Sequence, residues 1–333
     1  MTQQLTRRQF TKSLALAGAA PTILTSSLWG EDKKQANGRI TLGFIGVGRM
    51  GLGHVDRFLR FSQVQVVAVS DVVDDRSNEA KKRVESFYAR QKGKPYKGCD
   101  IHKDFRDLIQ RKDIDAVVIA TPDHWHTIPC LYAAKAKKDI YCEKPLTLTL
   151  AEGRKLVDAV KDNKIVFQTG SQQRSEFGGK FRRAVELIRN GYIGDVKTVR
   201  IGVGDPNQPC DLSTQKIPKG TDWDLWLGPA PKRGYNEILC PKGVHRHFPA
   251  WRRYREYAGG GLADMGAHHF DIAQWALGMD KSGPVKIIPP KDKKAKRGLK
   301  FVYANGVEMF HGGPSGCTFI GTKGRIYVDR GRM

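Results

Sequence analysis

A glycine-rich turn near the amino terminus constrains the fold more than any other feature of this 333-residue chain. An apolar run at 40–45 (ITLGFI) leads directly into GVGRMG at 46–51, and an amphipathic stretch at 52–61 follows. A GxGxxG pattern between a strand and a helix is typical of a turn that binds the diphosphate of a dinucleotide. The sequence therefore predicts an α/β fold that opens with a parallel, Rossmann-type sheet.

The residues of this turn have separate tasks. Gly46 permits the tight turn, Gly48 lets the backbone approach a pyrophosphate, and Gly51 lets the helix pack against the strand. Arg49 and Met50 lie at the start of the helix, where free N–H groups and the helix dipole favour an anion. We predict that all five residues contact the cofactor.

A second apolar run, 64–70, ends at Asp71, which lies 20 residues beyond Gly51. A carboxylate at this offset accepts hydrogen bonds from the ribose hydroxyls and repels a 2′-phosphate. Asp71 therefore favours NAD over NADP as the cofactor. Arg76 lies nearby and keeps NADP open as the less favoured alternative.

Two later apolar runs also end in polar turns. The run 115–120 (DAVVIA) is followed by TPDHWH at 121–126, and the run 139–142 is followed by EKP at 143–145. The loops at the carboxyl ends of parallel strands form the ligand crevice of such sheets. We predict that these two turns supply further cofactor contacts, with the histidine at the nicotinamide end: Thr121, Pro122, His126, Glu143 and Lys144.

Together with GGGLADMGAHHFD at 259–271, these motifs resemble the glucose–fructose oxidoreductase/inositol dehydrogenase (Gfo/Idh/MocA) family. The resemblance spans about residues 38–333. It implies an N-terminal NAD(P)-binding Rossmann domain at 38–160 and a C-terminal α/β substrate domain at 161–333. The second domain is expected to contain an open, mostly antiparallel sheet that often mediates oligomerisation, so the resemblance also implies a homo-oligomer.

The resemblance further implies hydride transfer between a sugar or polyol carbon and a nicotinamide held between the domains. It places the catalytic residues at Lys144, Asp264 and His268. The chain ends at Met333, just after an apparent strand at 325–329, where family members usually continue. A sequence truncated at its carboxyl end is therefore expected.

Oxidation of a secondary alcohol requires a base for the hydroxyl proton. His268 is the favoured candidate because the reference pKa of histidine, ~6.5, lies near working pH. If one helix runs from Asp264 to Leu277, Asp264 and His268 share a face of it. Lys144 would stabilise negative charge that develops on the substrate oxygen. Which of these groups takes the first proton stays open.

A further set of residues is predicted to bind the substrate. Gln173 and Arg174 follow an expected strand at 165–169, and Trp251 and Arg253 precede the glycine run. A guanidinium binds a carboxylate or sulfate through paired hydrogen bonds, and an aromatic face suits a sugar ring. His269 completes this set; better-studied family members often have Asp at its position.

Histidine and cysteine spacing gives no sign of a metal site. The histidine pairs 124/126 and 245/247 lack a third ligand at a suitable spacing, and the six cysteines include no CxxC pair. We therefore predict that the protein binds no metal.

The chain is strongly basic, with a formal net charge of +23. The basic residues are spread along the whole chain, and no helix-turn-helix, RNP or zinc-finger pattern is present. We therefore expect no nucleic-acid partner, whereas the positive field leaves acidic small molecules or polysaccharides open as ligands. No apolar run reaches the ~18 residues that a membrane-spanning helix needs.

The first 30 residues resemble a twin-arginine export signal. They contain no Asp or Glu, they carry TRRQFTK at 6–12, and a weakly apolar stretch follows at 13–24; Thr11 replaces the usual Leu. This segment predicts the twin-arginine translocase as a partner, a periplasmic location and no stable membrane insertion after cleavage. Because this route carries folded proteins, a tightly held cofactor is expected.

Three functions fit these observations. The favoured one is an exported NAD(P)-dependent oxidoreductase that acts on a secondary alcohol of a sugar, polyol or sugar derivative. The second is an NAD-dependent glycosidase that oxidises C3 transiently and eliminates the aglycone, although its Tyr-and-His signature is not evident at 259–271. The third is a non-catalytic protein that binds a sugar or a cofactor.

Overall fold

The computed structural model describes residues 38–333, so the predicted export signal lies outside the described residues. Two six-stranded sheets organise this part of the chain. One is formed by the amino-terminal half and the other by the carboxyl-terminal half. The predicted combination of a Rossmann sheet with a second α/β domain is thereby confirmed.

The first sheet is parallel throughout, with the order β3-β2-β1-β4-β5-β6. Its strands are β1 (Ile40–Ile45), β2 (Val64–Ser70), β3 (Asp100–His102), β4 (Ala116–Ile119), β5 (Asp139–Glu143) and β6 (Phe167–Gly170). The intervening helices are α1 (Arg49–Phe58), α2 (Asp74–Lys92), α3 (Phe105–Gln110), α4 (Asp123–Lys135) and α5 (Leu150–Asn163). This strand order is that of the dinucleotide-binding folds.

Helices cover both faces of this sheet. Because successive residues of a strand point to opposite sides, a strand such as β1 contributes side chains to the clusters on both faces. On one face the fully buried Phe44 packs with Val55 of α1 and Val84 of α2. On the other face Ile45 belongs to a cluster that includes Leu108 of α3. Burial on both faces explains why the strands read as continuous apolar runs.

Local capping fixes the start of α5. The Thr149 side chain accepts from the backbone N–H of Glu152, and the Glu152 carboxylate accepts from the N–H of Thr149. This reciprocal box satisfies two otherwise free donors at the start of α5. β6 lies after this helix, so the first sheet extends beyond residue 160 to Gly170.

The second sheet has the order β12-β11-β7-β10-β9-β8. Its strands are β7 (Val196–Gly202), β8 (Lys286–Ile288), β9 (Lys300–Val302), β10 (Glu308–His311), β11 (Gly316–Gly321) and β12 (Arg325–Val328). The β7–β10 pair is parallel and the other four pairs are antiparallel. The prediction of an open, mostly antiparallel sheet is confirmed.

Four helices belong to this half: α6 (Lys180–Arg189), α7 (Trp223–Leu227), α8 (Gly260–Asp264) and α9 (Gly266–Ala276). Short 3₁₀ turns lie at Gln172–Arg174, Phe177–Gly179 and Ala250–Arg253. Phe181 of α6 and Ile272 of α9 pack against one face of the sheet, where they bury strand residues such as Val199. The remaining long segment, between β7 and α8, forms its own aromatic cluster around Trp226 and Trp251.

The single helix from Asp264 to Leu277, which was the condition for a shared face of Asp264 and His268, is instead two helices. α8 ends at Asp264 and α9 begins at Gly266, with Met265 between them. Asp264 therefore closes one helix, while His268 lies in the first turn of the next.

Within residues 38–333 no helix is both long enough and apolar enough to cross a membrane. All six cysteines are free thiols, and five of them are buried. The same residues contain no cluster of three or more His, Cys, Asp or Glu side chains arranged to hold a metal ion.

Candidate active site

The glycine turn has the geometry that its pattern predicts. Gly46 has a φ of +80°, and a Cβ atom there would lie 2.8 Å from the backbone nitrogen of Thr121. A Cβ atom at Gly51 would overlap the carbonyl oxygen of Gly46. Around Gly48, by contrast, a Cβ atom would meet nothing within 4 Å. The turn is closed against the protein on two sides and open on the side where a diphosphate would lie.

Asp71 follows β2 directly and is held against this turn. One carboxylate oxygen accepts from the N–H of Val47 at 2.9 Å, and the other accepts from the N–H of Val73 at 2.9 Å. Burial raises the pKa of Asp71, although the nearby Arg76 and these amides act in the opposite direction. The carboxylate is fixed at the edge of the cavity where a ribose would lie.

The guanidinium of Arg76 is engaged by another loop. Its Nε donates to the carbonyl oxygen of Gly243 at 3.0 Å, and an Nη donates to that of Pro241. The nearest approach of its charge to Asp71 is 4.0 Å. These contacts hold the guanidinium beside the cofactor-side end of the site.

A cavity of about 860 Å³ lies over the turn and is called here the cofactor-side cavity. The predicted cofactor residues on its wall are Gly46, Gly48, Arg49, Met50, Asp71, Thr121 and Pro122. The opposite wall comes from the loop of the second half that contains Phe248, Trp251 and Arg252. The Thr121 hydroxyl is buried and has no hydrogen-bond partner among the described residues. An open glycine turn, a fixed carboxylate and an unpaired hydroxyl suit a dinucleotide.

A second cavity of about 1120 Å³ adjoins the first and is called the substrate-side cavity. Met50, Thr121, Phe248, Trp251 and Arg252 line both cavities. The three predicted catalytic residues lie together on the wall of the second cavity: Lys144, Asp264 and His268. A ligand that extends from the cofactor-side cavity past the shared residues into the substrate-side cavity would therefore reach these three side chains.

Lys144 and Asp264 form a close ion pair across this cavity. The ammonium donates to a carboxylate oxygen of Asp264 at 2.6 Å and to the backbone carbonyl oxygen of the same residue at 2.9 Å. Burial acts to raise the pKa of Asp264, but Lys144 and Arg252 outweigh it and the pKa is lowered. Asp264 is thus a carboxylate that holds the lysine in place.

His268 is buried beside this pair. Burial lowers its pKa to about 3, and the positive charges of Lys144 and Arg330 act in the same direction. Our reason for choosing His268 as the base, a pKa near working pH, is therefore wrong for this environment. The imidazole is neutral at working pH, and its Nδ1 is buried without a hydrogen-bond partner in the described part of the chain. It can accept a proton without losing one first.

The turn that carries Lys144 is fixed from behind. The Glu143 carboxylate lies 2.7 Å from Nε2 of His54, and the Gln172 amide donates to it. His126 contacts the Thr121 carbonyl oxygen at 2.9 Å and the Pro145 carbonyl oxygen at 2.6 Å. His126 thus ties the polar turns of β4 and β5 together, whereas Glu143 ties the β5 turn to α1 and to Gln172. Both residues line the substrate-side cavity.

Asp123 is a residue of this site that the sequence analysis missed. It is the first residue of α4, it is buried, and it lines the substrate-side cavity. Burial and the charge of Asp264 raise its pKa to about 8. The signal was present in the TPDHWH turn, which we interpreted through its threonine, proline and histidines but not through its carboxyl group.

Of the five residues predicted to bind substrate, only some line the substrate-side cavity. Trp251 and Gln173 line the substrate-side cavity, whereas His269 lies behind Gln173 and contacts its amide at 3.1 Å. Arg174 does not line this cavity; it forms ion pairs with Asp271 at 2.6 Å and Asp280 at 2.8 Å.

The other predicted arginine, Arg253, is exposed and does not line the cavity either. Its neighbour Arg252 lies in the wall instead, because the two residues share a 3₁₀ turn whose successive side chains point in different directions. Arg330, which the sequence analysis did not consider, also reaches the wall.

Comparison with known proteins agrees with this architecture. A family model described as an oxidoreductase family with an NAD-binding Rossmann fold matches residues 40–171. The C-terminal alpha/beta domain model of the same oxidoreductase family matches residues 207–330.

Individual relatives are more distant. Myo-inositol 2-dehydrogenase from Thermotoga maritima is 26% identical over 309 residues, which cover 87% of this chain and 75% of the relative. A glycosyl hydrolase family 109 protein from Shewanella pealeana is 28% identical over 213 residues. That match covers 58% of this chain and 44% of the relative, so the chain spans less than half of that protein.

Solved structures share the fold. Scyllo-inositol dehydrogenase from Lactobacillus casei, with bound NAD(H) and scyllo-inositol, aligns with a TM-score of 0.57 at 19% identity over 87% of this chain and 75% of that one. The two family models together cover most of the described residues, and their matched ranges include strands of both sheets. The chain therefore belongs to the Gfo/Idh/MocA family of oxidoreductases.

Proposed function

We propose that the protein is an NAD-dependent oxidoreductase that acts on a secondary alcohol of a sugar, a polyol or a sugar derivative. The observation that carries this proposal is the convergence of Lys144, Asp264 and His268 on one cavity that adjoins the open glycine turn. The inositol dehydrogenases among its relatives support the same class of substrate. NADP is the less favoured cofactor because the Asp71 carboxylate, held by the amides of Val47 and Val73, would repel a 2′-phosphate.

The residues that would hold the cofactor are the glycine turn, Asp71, Thr121 and the wall around Trp251. When bound, NAD supplies a hydride acceptor. The chain contributes the proton chemistry and the positioning of the alcohol. The ammonium of Lys144 can donate a hydrogen bond to the substrate oxygen and stabilise the negative charge that develops there. Asp264 keeps that ammonium charged and oriented.

His268 provides a neutral nitrogen beside the same ammonium. A neutral imidazole can accept the hydroxyl proton directly, or it can accept a proton from the Lys144 ammonium, which then takes the hydroxyl proton in its place. The low pKa makes His268 a weak base in the free protein, so stabilisation of the alkoxide by Lys144 has to assist the transfer. Removal of either side chain should therefore slow the same step.

The experiment that tests this proposal combines cofactor reduction with product analysis. Purified protein is incubated with NAD and a panel of inositols, sugars and sugar acids, and NADH is followed at 340 nm. An oxidoreductase forms NADH and a ketone in equal amounts. The proposal fails if the wild-type protein binds NAD but forms neither NADH nor a ketone with any member of the panel.

A second candidate function is an NAD-dependent glycosidase, which the glycosyl hydrolase family 109 relatives favour. Such an enzyme would return its cofactor to the oxidised form in each cycle and release a free sugar without net oxidation. Incubation with p-nitrophenyl glycosides distinguishes the two functions. Release of p-nitrophenol without a net change in NADH would replace the oxidoreductase by the glycosidase.

We also propose that the protein is exported by the twin-arginine translocase and acts in the periplasm. This proposal is supported by the pair Arg7-Arg8 within TRRQFTK and by the acid-free first 30 residues. A tightly held cofactor would fit export in the folded state. Replacing both arginines by lysine should leave the protein in the cytoplasmic fraction, whereas unchanged export of that variant would refute the proposed route.

A homo-oligomer remains our expectation for the assembly, and the second sheet is the surface that the family resemblance suggests. Light scattering coupled to size-exclusion chromatography measures the mass directly. A mass equal to one chain at micromolar concentration would contradict this expectation.

A further inference from the structure

Three of the four acidic groups that line the substrate-side cavity have a charged or hydrogen-bonding partner. Asp264 is paired with Lys144 at 2.6 Å. Glu143 is bound by His54 at 2.7 Å and by Gln172. Glu176 lies 3.9 Å from an Nη of Arg57. Asp123, the remaining acid of the wall, has a pKa raised to about 8 by burial and is thus mostly neutral at pH 7.

One cation of the same wall has spare donors. The Nε of Arg330 donates to the amide oxygen of Gln173 at 3.0 Å, and its guanidinium stacks 4.7 Å from the centre of the Phe177 ring. Its two terminal nitrogens make no hydrogen bond or ion pair with any of the residues 38–333. Arg330 as a residue is exposed and also lines the substrate-side cavity, which puts this residue at the mouth of the cavity.

The orientation of Arg330 is fixed by a chain of buried side chains. Gln173 is 1% exposed, and its amide nitrogen contacts Nδ1 of His269 at 3.1 Å. The backbone oxygen of His269 in turn accepts from the thiol of Cys317 at 3.4 Å. Because the Gln173 amide group cannot turn without losing the His269 contact, its oxygen is presented to Arg330. The two substrate-binding predictions, Gln173 and His269, thus become positioning residues for an arginine.

A second cation lies deeper in the wall. Arg252 stacks on Trp251, with its guanidinium 4.1 Å from the ring centre, and its Nε lies 3.7 Å from Asp264. Its side chain is 22% exposed. The cavity therefore has cations at its mouth and in its wall, and the formal net charge of the chain is +23. A positive field of this kind concentrates anionic ligands at a cleft.

We propose that the substrate is a sugar acid and that Arg330 binds its carboxylate at the mouth of the substrate-side cavity, while the reacting hydroxyl lies at Lys144 and His268. The inference rests on the proposed oxidoreductase function and adds the substrate class to it. A carboxylate fits the terminal nitrogens of a guanidinium because its two oxygens match their spacing and plane. A neutral polyol would leave these donors to water.

The test compares sugar acids with their neutral parents as ligands. D-Glucuronate, D-galacturonate and D-mannuronate are titrated into the full-length protein by isothermal calorimetry beside D-glucose, D-galactose and D-mannose, each with and without NAD. At least one acid should bind at least tenfold more tightly than its parent. The carboxylate inference would be overturned if each acid bound only as tightly as its neutral parent, or if none of the three acids bound measurably.

Variants locate the binding group. Arg330→Gln should weaken acid binding at least tenfold and change binding of the neutral sugar by less than twofold, and Arg330→Lys should give an intermediate loss. Arg253→Gln is the matched control because it removes an exposed arginine that does not line the cavity. If Arg330→Gln and Arg253→Gln behave alike, the proposed role of Arg330 is wrong. D-Glucose 6-sulfate is a further arm, and tighter binding of the sulfate than of the acids would replace the carboxylate by a sulfate ester.

The two levels of the proposal fail separately. If NAD does not bind, the oxidoreductase proposal falls, and the titrations without NAD still decide the carboxylate inference. If NAD binds and neutral sugars reduce it while the acids do not bind, the oxidoreductase proposal stands and the carboxylate inference falls.

Discussion

The ammonium of Lys144 lies 2.6 Å from a carboxylate oxygen of Asp264, although 120 residues separate the two in the chain. Lys144 follows the fifth strand of the Rossmann sheet, and Asp264 ends the short helix α8 of the second half. The pair therefore joins the two halves at the cavity where chemistry is proposed. We expect this ion pair to keep Lys144 protonated and to hold its ammonium in place within the cavity.

Loss of the ammonium should abolish most of the activity. We expect Lys144→Met to lower kcat by about 10²–10³-fold, the range typical for removal of one donor that stabilises a developing oxyanion. Lys155, an exposed residue of α5, is the matched control, and Lys155→Met should leave kcat within twofold of wild type. Steady-state rates on the best substrate measure both. Equal rates for wild type and Lys144→Met would remove the lysine from the mechanism.

The pH dependence of activity should carry no titration of His268 above pH 5. Burial and the charges of Lys144 and Arg330 lower the pKa of His268 to about 3 in the free protein. Because kcat/KM reports the free enzyme, its profile from pH 5 to 8 should lack an acidic limb due to this imidazole. An acidic limb near pH 6.5 that disappears in His268→Gln would show that the histidine titrates normally.

Asp123 should make the protein less stable as the pH rises. Its pKa is raised from 3.8 to about 8 in the folded chain, so between these values the folded state retains a proton that the unfolded state has lost. Stability from this group is therefore fully present below about pH 4 and declines up to about pH 8. Asp123→Asn removes this loss and should raise the Tm at pH 8 by a few degrees relative to wild type.

The control for this measurement is Asp162→Asn, which changes an exposed carboxylate at the end of α5. Its Tm should follow the wild-type pH dependence. If Asp123→Asn also follows it, with no gain at pH 8 over pH 5, Asp123 is ionised normally in the folded protein.

We expect the absence of a side chain at position 48 to matter for NAD binding and not for the stability of the fold. Its φ is −68°, and a Cβ atom there would meet no protein atom within 4 Å. Gly48→Ala should therefore keep the wild-type Tm and weaken NAD binding at least tenfold, because the added methyl group occupies the space for the diphosphate. Gly53→Ala is the matched control, since Gly53 lies in α1 with equally free space. Unchanged NAD affinity in Gly48→Ala would place the cofactor elsewhere.

The sequence allowed the Rossmann half to be predicted because its signals are local. Each strand is a short apolar run, and the order strand, glycine turn, helix is written in consecutive residues such as 40–51. The capping box at Thr149 is likewise local. Spacing did not predict the meeting of Lys144 with Asp264 and His268, because residue types alone do not determine contacts over 120 positions. The family resemblance implied that meeting.

The parts of the site that escaped prediction depend on tertiary contacts. Arg174 follows a strand end, yet Asp271 and Asp280 draw it away from the cavity. Arg330 reaches the mouth of the cavity only because β11 pairs with both β7 and β12, which brings the end of the second sheet beside Gln173. The altered pKa of Asp123 likewise results from burial.

Native mass spectrometry of the purified protein with NAD and with NADP shows whether the chain binds a nicotinamide dinucleotide at all. We expect a stoichiometric complex with NAD and a much weaker one with NADP, because the fixed Asp71 carboxylate would repel a 2′-phosphate and Arg76 is bonded to backbone carbonyl oxygens. Absence of both complexes, before and after addition of nucleotide, would contradict the account of this chain as an NAD-dependent oxidoreductase.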